Sequence, residues 1–578
     1  IKTELKSRLT PESAEKAMLF CDIFFRRVPY SGLGQESPRV AAAMLVSQLD
    51  FLKLREQGGV SIRVFNPGHD RDGWECHHTV VELANDDMPF LVDTATMALQ
   101  ECGVDVHLII HPVLNVERDA GGRLKAFPGS ATGKSGKESF IHIQIEKQTD
   151  PTVLDSIRSR LDSRMSKVRM AVDDWHAMTA SLEQAITGFG KNAPGLPEWV
   201  KQECIKFLEW VGDDHFMFIG ARSYDIVQEG NIAYLNVVDG TGLGILREQE
   251  TKVLSRPITG SGNDDSRFNP DAPLIVTKTN GRSPMHRSGY MDYIGVLRFD
   301  EDGKVIGEHR FIGLFTSLAY QQRLADTPLV AMKVQTVLDN SGLRENRHAW
   351  KSLLHILETL PRDEVFQASS TELLSIAMGV LDLQERQTVR LFIRQERFGR
   401  FFSCLVYIPR DHWNTENKLK IQHILKQALK GGQLDDTIQV SDSALARMHV
   451  IIRPSEGEHP LPDVQQLEKS IINAIRPWEE ELQTILVDRL GEEAGLKLAR
   501  KFGHAFPAAY QEDVSPAVAA YDVEKLALLK DAGDLQLSLY RPRLDDAGQR
   551  GERAGLIRFK IFKRSQPIPL STVLPMLE

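Results

Sequence analysis

The chain has 578 residues and a mass of 65.0 kDa, a length that suits roughly three to five domains. Hydrophobic residues make up 42% and charged residues 26% of it, as in soluble globular proteins. The formal charge of -9 is spread along the sequence, so no basic block predicts a nucleic-acid partner, and no apolar run approaches the ~18 residues of a membrane span.

The cysteines are too few and too scattered for a disulfide framework. They are Cys21, Cys76, Cys102, Cys204 and Cys404. Their number is odd and no two are close in sequence, so we expect buried thiols in a reducing cytosol and a cytoplasmic location without a secretory signal. The chain starts at Ile1 and stops at Glu578 within helical patterns, so we expect it to be part of a longer polypeptide.

The first part of the chain predicts a helical arm followed by a sheet. The arm covers residues 1–54 and includes the linker RRVPYSGLG. From Ser61 the apolar period changes from helical to alternating. Strands are predicted in SIRVFNP, HHTVVELAND, VDVHLIIHPVLNVERD and ESFIHIQIEK, and a helix in PFLVDTATMALQECG.

A long helix follows the last of these strands. Between Leu154 and Ile186, apolar residues recur at spacings of three or four, so one face is apolar for about nine turns. Together these elements predict an α+β sandwich over residues 55–190 with its helices on one side of the sheet.

The rest of the chain predicts further mixed domains. Short strands joined by turn signals predict a mostly antiparallel sheet over residues 191–330, and helices follow over 331–384. A second α+β unit over 385–460 contains the strand pair VRLFIRQERFGRFFSCLVYIP, a helix from Asn414 to Lys430 and the strand ARMHVIIRP. A helical segment at 461–530 precedes a truncated third unit at 531–578. The predicted fold class is therefore α+β and multidomain.

The stretch FPGSATGKSGKES has the look of a phosphate-binding loop but not its spacing. Three residues instead of four separate Gly129 from the pair Gly133–Lys134, and Pro128 stands where the first glycine is needed. A strand is predicted to follow, so no helix N-terminus would face the phosphates. We interpret the stretch as a hairpin loop.

Other apparent motifs also fail on spacing. VVDGTGLGIL lacks the third glycine of a dinucleotide fingerprint and is interpreted as a tight turn rich in positive φ. The histidines His77, His78, His107 and His111 do not have the spacing of a zinc site, and FDEDGKV offers too few oxygen ligands for calcium. Motifs alone predict no catalytic, cofactor or metal site.

One loop is a candidate binding site. It lies between a predicted strand and helix and consists of Asn85, Asp86, Asp87, Met88, Pro89 and Phe90. Proline is expected in the first turn of the helix, whose backbone amides are partly positive and suit the carboxylate of a small amino acid. The alternative is a well-capped helix without a ligand.

The same strand–loop–proline–helix pattern resembles the ACT domain, a ligand-sensing α+β module. The departure is that the last strand of the usual β-α-β-β-α-β order is missing, and SIRVFNP, a leading strand, takes its place. Longer runs resemble, in the same order from about residue 15 to 578, the N-terminal portion of the large bacterial NAD-specific glutamate dehydrogenases. They include FFRRVPY, ELANDDMPFLVDTATMAL, SPMHRSGYMDYIGVLRFDEDGKVIGEHRFIGLFTSLAY, ILETLPRDEVFQ, FGRFFSCLVYIPR and FKIFKRSQPIPLSTVLPMLE.

The resemblance implies that the three α+β units are ACT-like, that the antiparallel sheet is PAS-like and that helical motifs link them. It implies a regulatory and oligomerisation region of a homo-oligomeric enzyme that converts L-glutamate, NAD and water to 2-oxoglutarate, ammonium and NADH. Enzymes of that family use a catalytic lysine that follows a glycine-rich turn. The double glycines in this sequence are not followed by such a lysine, so the catalytic residues and the NAD site are expected outside this chain. The alternative is a ligand-free scaffold for subunit assembly.

A second group of residues is a candidate contact with that absent catalytic domain. It consists of His286, Arg287, Tyr290, Asp292 and Tyr293, on and before one strand. So many polar and aromatic side chains exceed what a solvated hairpin needs. The alternative is a hydrogen-bonded cluster inside the protein.

Overall fold

A computed structural model shows two compact units, Ile1–Met378 and Gly379–Glu578. The structure describes residues 1–26, 28, 37–128, 136–193, 195–229, 232–247, 272–345, 347–383, 386, 388–441, 443–455, 461–540, 557–565, 567–569, 571 and 573. The linker RRVPYSGLG and the Gly133–Lys134 pair therefore lie largely or wholly outside the described residues. Both units mix helices with antiparallel sheets, which confirms the α+β multidomain class.

The elements are numbered in chain order. The helices are α1 (Lys2–Arg8), α2 (Pro11–Phe24), α3 (Pro38–Leu52), α4 (His69–Asp72), α5 (Leu91–Glu101), α6 (Pro151–Asp173), α7 (Trp175–Asn192), α8 (Glu198–Trp210), α9 (Ser317–Gln321), α10 (Val330–Asn340), α11 (His348–Thr359), α12 (Arg362–Gln367), α13 (Ser370–Leu383), α14 (Thr415–Ala428), α15 (Val464–Ala474), α16 (Trp478–Leu490), α17 (Glu492–Phe502), α18 (Ala508–Asp513) and α19 (Pro516–Ala527). The strands are β1 (Ser61–Phe65), β2 (Thr79–Asp86), β3 (Val106–Ile110), β4 (Val113–Arg118), β5 (Leu124–Ala126), β6 (Gly136–Ile145), β7 (Phe216–Glu229), β8 (Ile232–Val237), β9 (Leu243–Gly244), β10 (Leu274–Arg282), β11 (Tyr290–Phe299), β12 (Val305–Phe315), β13 (Arg390–Gln395), β14 (Phe402–Pro409), β15 (Gly431–Gln439), β16 (Leu445–Pro454), β17 (Leu535–Tyr540) and β18 (Arg558–Lys563).

The first sheet is antiparallel and runs β1-β2-β6-β4-β5, with β3 also paired to β6. The leading strand β1 pairs with β2 on the side opposite β6. Its replacement of the last strand of the ACT order stays a prediction. The strand β6 begins at Gly136, within the last residues of the stretch FPGSATGKSGKES, so the strand predicted after the Gly133–Lys134 pair is confirmed.

Helices cover both faces of this sheet, and the prediction of a one-sided sandwich is wrong. On one face, Phe20 and Phe24 of α2 and Leu45 of α3 form a core with Ala84 and Phe140. The alternate strand residues point the other way and are also buried, and α5 and α6 pack together on that side. The helices α1, α2 and α3 thus supply one of the two helical layers.

The predicted long helix is two helices, so that prediction is wrong as well. α6 ends at Asp173 and α7 begins at Trp175, with Asp174 between them at φ -91 and ψ 2. The Asp174 carboxylate accepts hydrogen bonds from the Gly244 N–H at 2.7 Å and from Arg247 Nε at 3.0 Å. A contact with a distant turn, rather than the local sequence, sets the break.

The second sheet runs β10-β11-β12-β7-β8, with β9 beside β7, and all its pairs are antiparallel. The antiparallel sheet predicted for this region is confirmed, and helix α7 packs on β7 and β11. Its PAS-like character stays a prediction. The predicted positive-φ turn in VVDGTGLGIL is present, with φ 74 at Gly240 and φ 59 at Gly244.

The sheet of the second unit repeats the strand order of the first sheet. Its sheet runs β13-β14-β16-β15, with α14 between β14 and β15 and α15 after β16. Ile421 of α14 and Ile471 of α15 cover Cys404, Val406 and Val450. The helices α16, α17 and α19 build a separate small core, and β17 pairs with β18. Among the described residues, no helix combines the length and apolar character needed to cross a bilayer.

Candidate functional site

The loop between β2 and α5 has an unusual helix start. Phe90 occupies the N-cap position with φ 71, in the left-handed region, and its side chain makes no capping hydrogen bond. The helix begins at Leu91, so Pro89 lies before it, and its expected place in the first turn is wrong. The left-handed Phe90 turns the chain into the helix. The first turn of α5 leaves amides that the helix itself does not use.

Two arginines hold the end of β2. Arg55 Nη2 donates to Asp86 Oδ1 at 2.5 Å, and Arg169 Nη1, from α6, donates to Asp86 Oδ2 at 2.9 Å. Arg169 also donates to Asn85 Oδ1. Burial alone would raise the pKa of the Asp86 carboxyl, but the hydrogen bonds and charges of both arginines lower it. Asp86 is thus ionised and serves the protein's own structure.

Glu138 extends this network beneath the loop. Its carboxylate accepts hydrogen bonds from Arg55 at 3.0 Å and from Arg118 at 2.7 and 2.9 Å. Burial alone would raise the pKa of Glu138, but the hydrogen bonds and charges of the two guanidinium groups outweigh burial and lower it. Arg55 and Glu138 are both buried, so the network anchors β2, β4 and β6 rather than facing solvent.

Asp87 is the acidic residue of the loop that solvent reaches most freely. It is exposed, and its Oδ1 accepts a hydrogen bond from Ser139 Oγ at 2.7 Å. Ser139 Oγ also lies 3.0 Å from His111 Nε2. The sulfur of Met88 accepts from Asn85 Nδ2 at 3.9 Å. Of the two carboxylates in the predicted loop, Asp87 therefore keeps an exposed side chain, whereas Asp86 is held by two arginines.

The second predicted group divides into buried and accessible residues. Asp292 and Tyr293 are buried, with 2% and 4% exposure. Asp292 Oδ2 accepts from the Phe315 N–H at 3.0 Å, and the Tyr293 hydroxyl donates to Glu308 at 2.7 Å. Arg287 is exposed, and His286 and Tyr290 are half-buried. The geometry therefore favours an internal hydrogen-bonded cluster for Asp292 and Tyr293. His286, Arg287 and Tyr290 keep solvent-accessible surface that a partner domain could contact.

Asp292 belongs to a buried ion cluster that the sequence did not reveal. Lys278 Nζ lies 2.6 Å from Asp292 Oδ1 and 3.2 Å from Asp363 Oδ2. The Tyr320 hydroxyl donates to Asp363 Oδ1 at 2.8 Å. Burial alone would lower the pKa of Lys278, but the charges of the two carboxylates raise it. The amine therefore stays protonated and does not suit a nucleophilic role.

His286 brings the two predicted groups together. Its backbone N–H donates to Thr94 Oγ1 at 3.0 Å, and its Nδ1 lies 2.8 Å from Asp93 Oδ2. Its ring lies 5.1 Å from the ring of Phe90, centroid to centroid. Asp93 lies in the first turn of α5, and no local sequence pattern could show that it contacts His286.

Metal ligands do not converge in the part of the chain that the structure describes. Within it, no three His, Cys, Asp or Glu side chains are grouped to hold a metal ion. His78 and His107 form a ring pair with centroids 4.6 Å apart. Burial and the neighbouring charge of His107 lower the pKa of His78.

Five glutamate dehydrogenase family models match the chain, one after another. They describe the ACT1 domain at residues 20–161, helical motif 1 at 327–386, the ACT2 domain at 390–479, helical motif 2 at 485–529 and the ACT3 domain at 534–578. The first match begins within α2, which agrees with the packing of α2 and α3 onto the first sheet.

Similar proteins carry the name NAD-specific glutamate dehydrogenase. The protein from Halomonas elongata is 34% identical over 100% of this chain and 36% of its own length. The protein from Pseudomonas aeruginosa is 32% identical over 100% of this chain and 35% of its own length. The protein from Mycobacterium tuberculosis is 28% identical over 84% of this chain and 29% of its own length. The chain thus spans about a third of the curated relatives that it matches.

Proposed function

We propose that this chain is a regulatory and assembly region of an NAD-specific glutamate dehydrogenase, the family that its domain matches and relatives support. The observation that carries the proposal is the run of five family matches in chain order. The parent enzyme would convert L-glutamate, NAD and water to 2-oxoglutarate, ammonium and NADH. NAD would be a cofactor of the parent and would bind outside this chain.

The buried charges support a structural rather than a catalytic role for this region. Lys278 is paired with two carboxylates, and Asp86 and Glu138 are each held by two arginines. The 578-residue chain alone is therefore expected to show no glutamate-dependent production of NADH. Production above a buffer control, measured by absorbance, would contradict this part of the proposal.

The β2–α5 loop is our candidate for an amino-acid effector. An amino acid carries a carboxylate and an ammonium group, and the loop offers helix N-terminal amides for the first and the exposed Asp87 carboxylate for the second. The carboxylate of Asp93 already lies in the first turn of α5, where His286 faces it. That contact occupies one carboxylate oxygen of Asp93 and holds the side chain toward His286.

Thermal melting with a panel of amino acids tests this site. A ligand that binds only the folded state raises the melting temperature, with a gain of about 2.7 kcal/mol at a hundredfold excess over Kd. The rise should disappear in Asp87→Ala and persist in Asp411→Ala, an exposed aspartate in the corresponding loop of the second unit. No shift with any amino acid would favour the ligand-free scaffold.

Assembly is the other half of the proposed role. The sheet of the second unit ends in β15, an edge strand with several exposed residues, and edge strands carry backbone groups that can pair with another chain. We therefore expect the 578-residue chain to self-associate. Sedimentation velocity at micromolar concentration checks this, and a single monomeric species would contradict it.

A further inference from the structure

Two aromatic residues in left-handed backbone conformations contact each other between the first and second sheets. Phe90 has φ 71 and His286 has φ 64, and their ring centroids are 5.1 Å apart. For residues other than glycine, and above all for a bulky one, this conformation costs roughly 1 to 2 kcal/mol. Such a conformation persists when the surrounding contacts fix it, and it clusters at switch regions.

The contacts that fix it come from both sides of the junction. From α5, the buried Thr94 accepts the His286 N–H at 3.0 Å, and the Thr94 N–H donates to the Phe90 carbonyl at 3.0 Å. From the loop between β10 and β11, the Ser283 N–H donates to the Gly289 carbonyl at 2.7 Å, which closes the loop. Thr94 thus bonds directly to both left-handed residues.

The same loop is tied to helix α12. Arg287 Nη2 donates to the Phe315 carbonyl at 2.9 Å, and its guanidinium lies 5.6 Å from the centroid of the Tyr320 ring. The Tyr320 hydroxyl reaches Asp363 on α12 at 2.8 Å. A continuous set of contacts therefore runs from the β2–α5 loop to the helices that follow the second sheet.

We propose that residues 283–289 form a latch, so that opening of the β2–α5 loop and release of this loop are one cooperative event. His286 is held across the junction by the Thr94 hydroxyl, and Phe90 contacts the other side through its ring contact with His286. Loss of the Thr94 Oγ1 contact lets the His286 backbone relax toward an ordinary conformation, and the ring contact that packs against Phe90 is then lost as well. The latch would carry a change at the β2–α5 loop to α12. It goes beyond the proposed function and holds whether or not an effector binds.

Hydrogen–deuterium exchange on the whole 578-residue chain tests the latch. Thr94→Val keeps the shape of a buried side chain and removes the acceptor of the His286 N–H. We expect amide exchange about tenfold faster in the first turn of α5 and in residues 283–289 together. His286→Ala, which removes the ring and the Asp93 contact from the other side, should give the same paired response.

A matched control separates the latch from simple relief of backbone strain. Lys430, two residues after the end of α14 in the second unit, has φ 49, and Lys430→Gly should change exchange only near that residue. Exchange that rises only in the segment carrying each substitution, or does not rise, would overturn the proposal. If His286→Ala fails to fold by circular dichroism, the milder Thr94→Val decides the question alone.

Discussion

At the scale of single residues, the pairing of buried charged side chains was the feature least predictable from the sequence. Arg63, Glu82 and His142 lie side by side on β1, β2 and β6, as the strand registers require. Arg63 Nε donates to Glu82 Oε2 at 2.5 Å, and His142 Nδ1 lies 3.1 Å from Glu82 Oε1. The alternating pattern predicted the strands, but only the pairing register shows which side chains become neighbours.

Glu82→Gln should destabilise the first unit in a pH-dependent way. Burial alone would raise the pKa of Glu82, but the hydrogen bonds and charges of His142 and Arg63 lower it. A carboxylate with a lowered folded-state pKa stabilises the fold above its unfolded value, near 4.5, and loses that effect as the pH falls through the folded value. We expect a loss of about 3 kcal/mol at neutral pH, because the half-buried Arg63 loses its counter-charge and the hydrogen bonds of the buried carboxylate are disrupted.

Urea unfolding of the first unit at neutral and acid pH measures this effect. The gap between the wild-type protein and Glu82→Gln should narrow below about pH 4.5. Glu75→Gln, at an exposed glutamate of the preceding loop, is the control and should change stability by less than about 0.5 kcal/mol. A gap of constant size at every pH would contradict the assignment.

In the candidate loop too, the local sequence predicted the backbone elements but not the side chains that contact them. The type and order of Asn85 to Phe90 were enough to place a strand end and a helix start there. The groups that hold the loop are Arg55 and Arg169, and neither stood out in the sequence. Distant partners are invisible in a local pattern because they depend on the fold.

At the scale of elements, apolar periodicity predicted the strands and helices that pack through an apolar face. It missed a polar edge strand and a helix break that depends on a single contact. The strands β2 and β6 and the helix α14 were found because each has a clear apolar face. β15 was missed because its sequence, GGQLDDTIQ, is polar and glycine-rich, as an edge strand can be. The break at Asp174 was missed because the apolar face of α6 continues into α7.

The glycine turn after β8 permits a sharper test. Gly240 and Gly244 both have positive φ, but a Cβ on Gly240 would meet nothing within 4 Å, whereas one on Gly244 would lie 2.2 Å from the Ile219 carbonyl oxygen. Gly240→Ala should therefore cost about 1 kcal/mol, from the left-handed backbone alone. Gly244→Ala should cost several times more, because backbone must move and the Asp174 contact with the Gly244 N–H is disturbed. Urea unfolding compares the two, and equal losses would contradict the role given to this close approach.

At the scale of the whole molecule, the repetition of one strand order was partly predictable. In each unit, two antiparallel strands lead into a helix, and the last strand of the sheet lies beside the second. The sequence indicated the repeat through the leading strand SIRVFNP and the pair around β13 and β14. The sequence did not indicate that α2 and α3 pack on the first sheet. The apolar face of an amphipathic helix shows that the helix packs against something, but it does not identify the packing partner.

The strand pairs β13–β14 and β17–β18 give the last prediction, because a leucine on the first strand of one pair is buried and a leucine on the first strand of the other is exposed. Leu391 on β13 is 3% exposed within the core of the second unit, whereas Leu537 on β17 is 49% exposed. Leu391→Lys places an unpaired charge in an apolar core and should cost more than about 4 kcal/mol. Leu537→Lys should stay within about 0.5 kcal/mol, because its charge remains in water. Hydrogen–deuterium exchange in urea measures both, read in β13–β16 for Leu391→Lys and in β17–β18 for Leu537→Lys. A comparable loss of protection in the two variants would show that Leu537 is buried in solution.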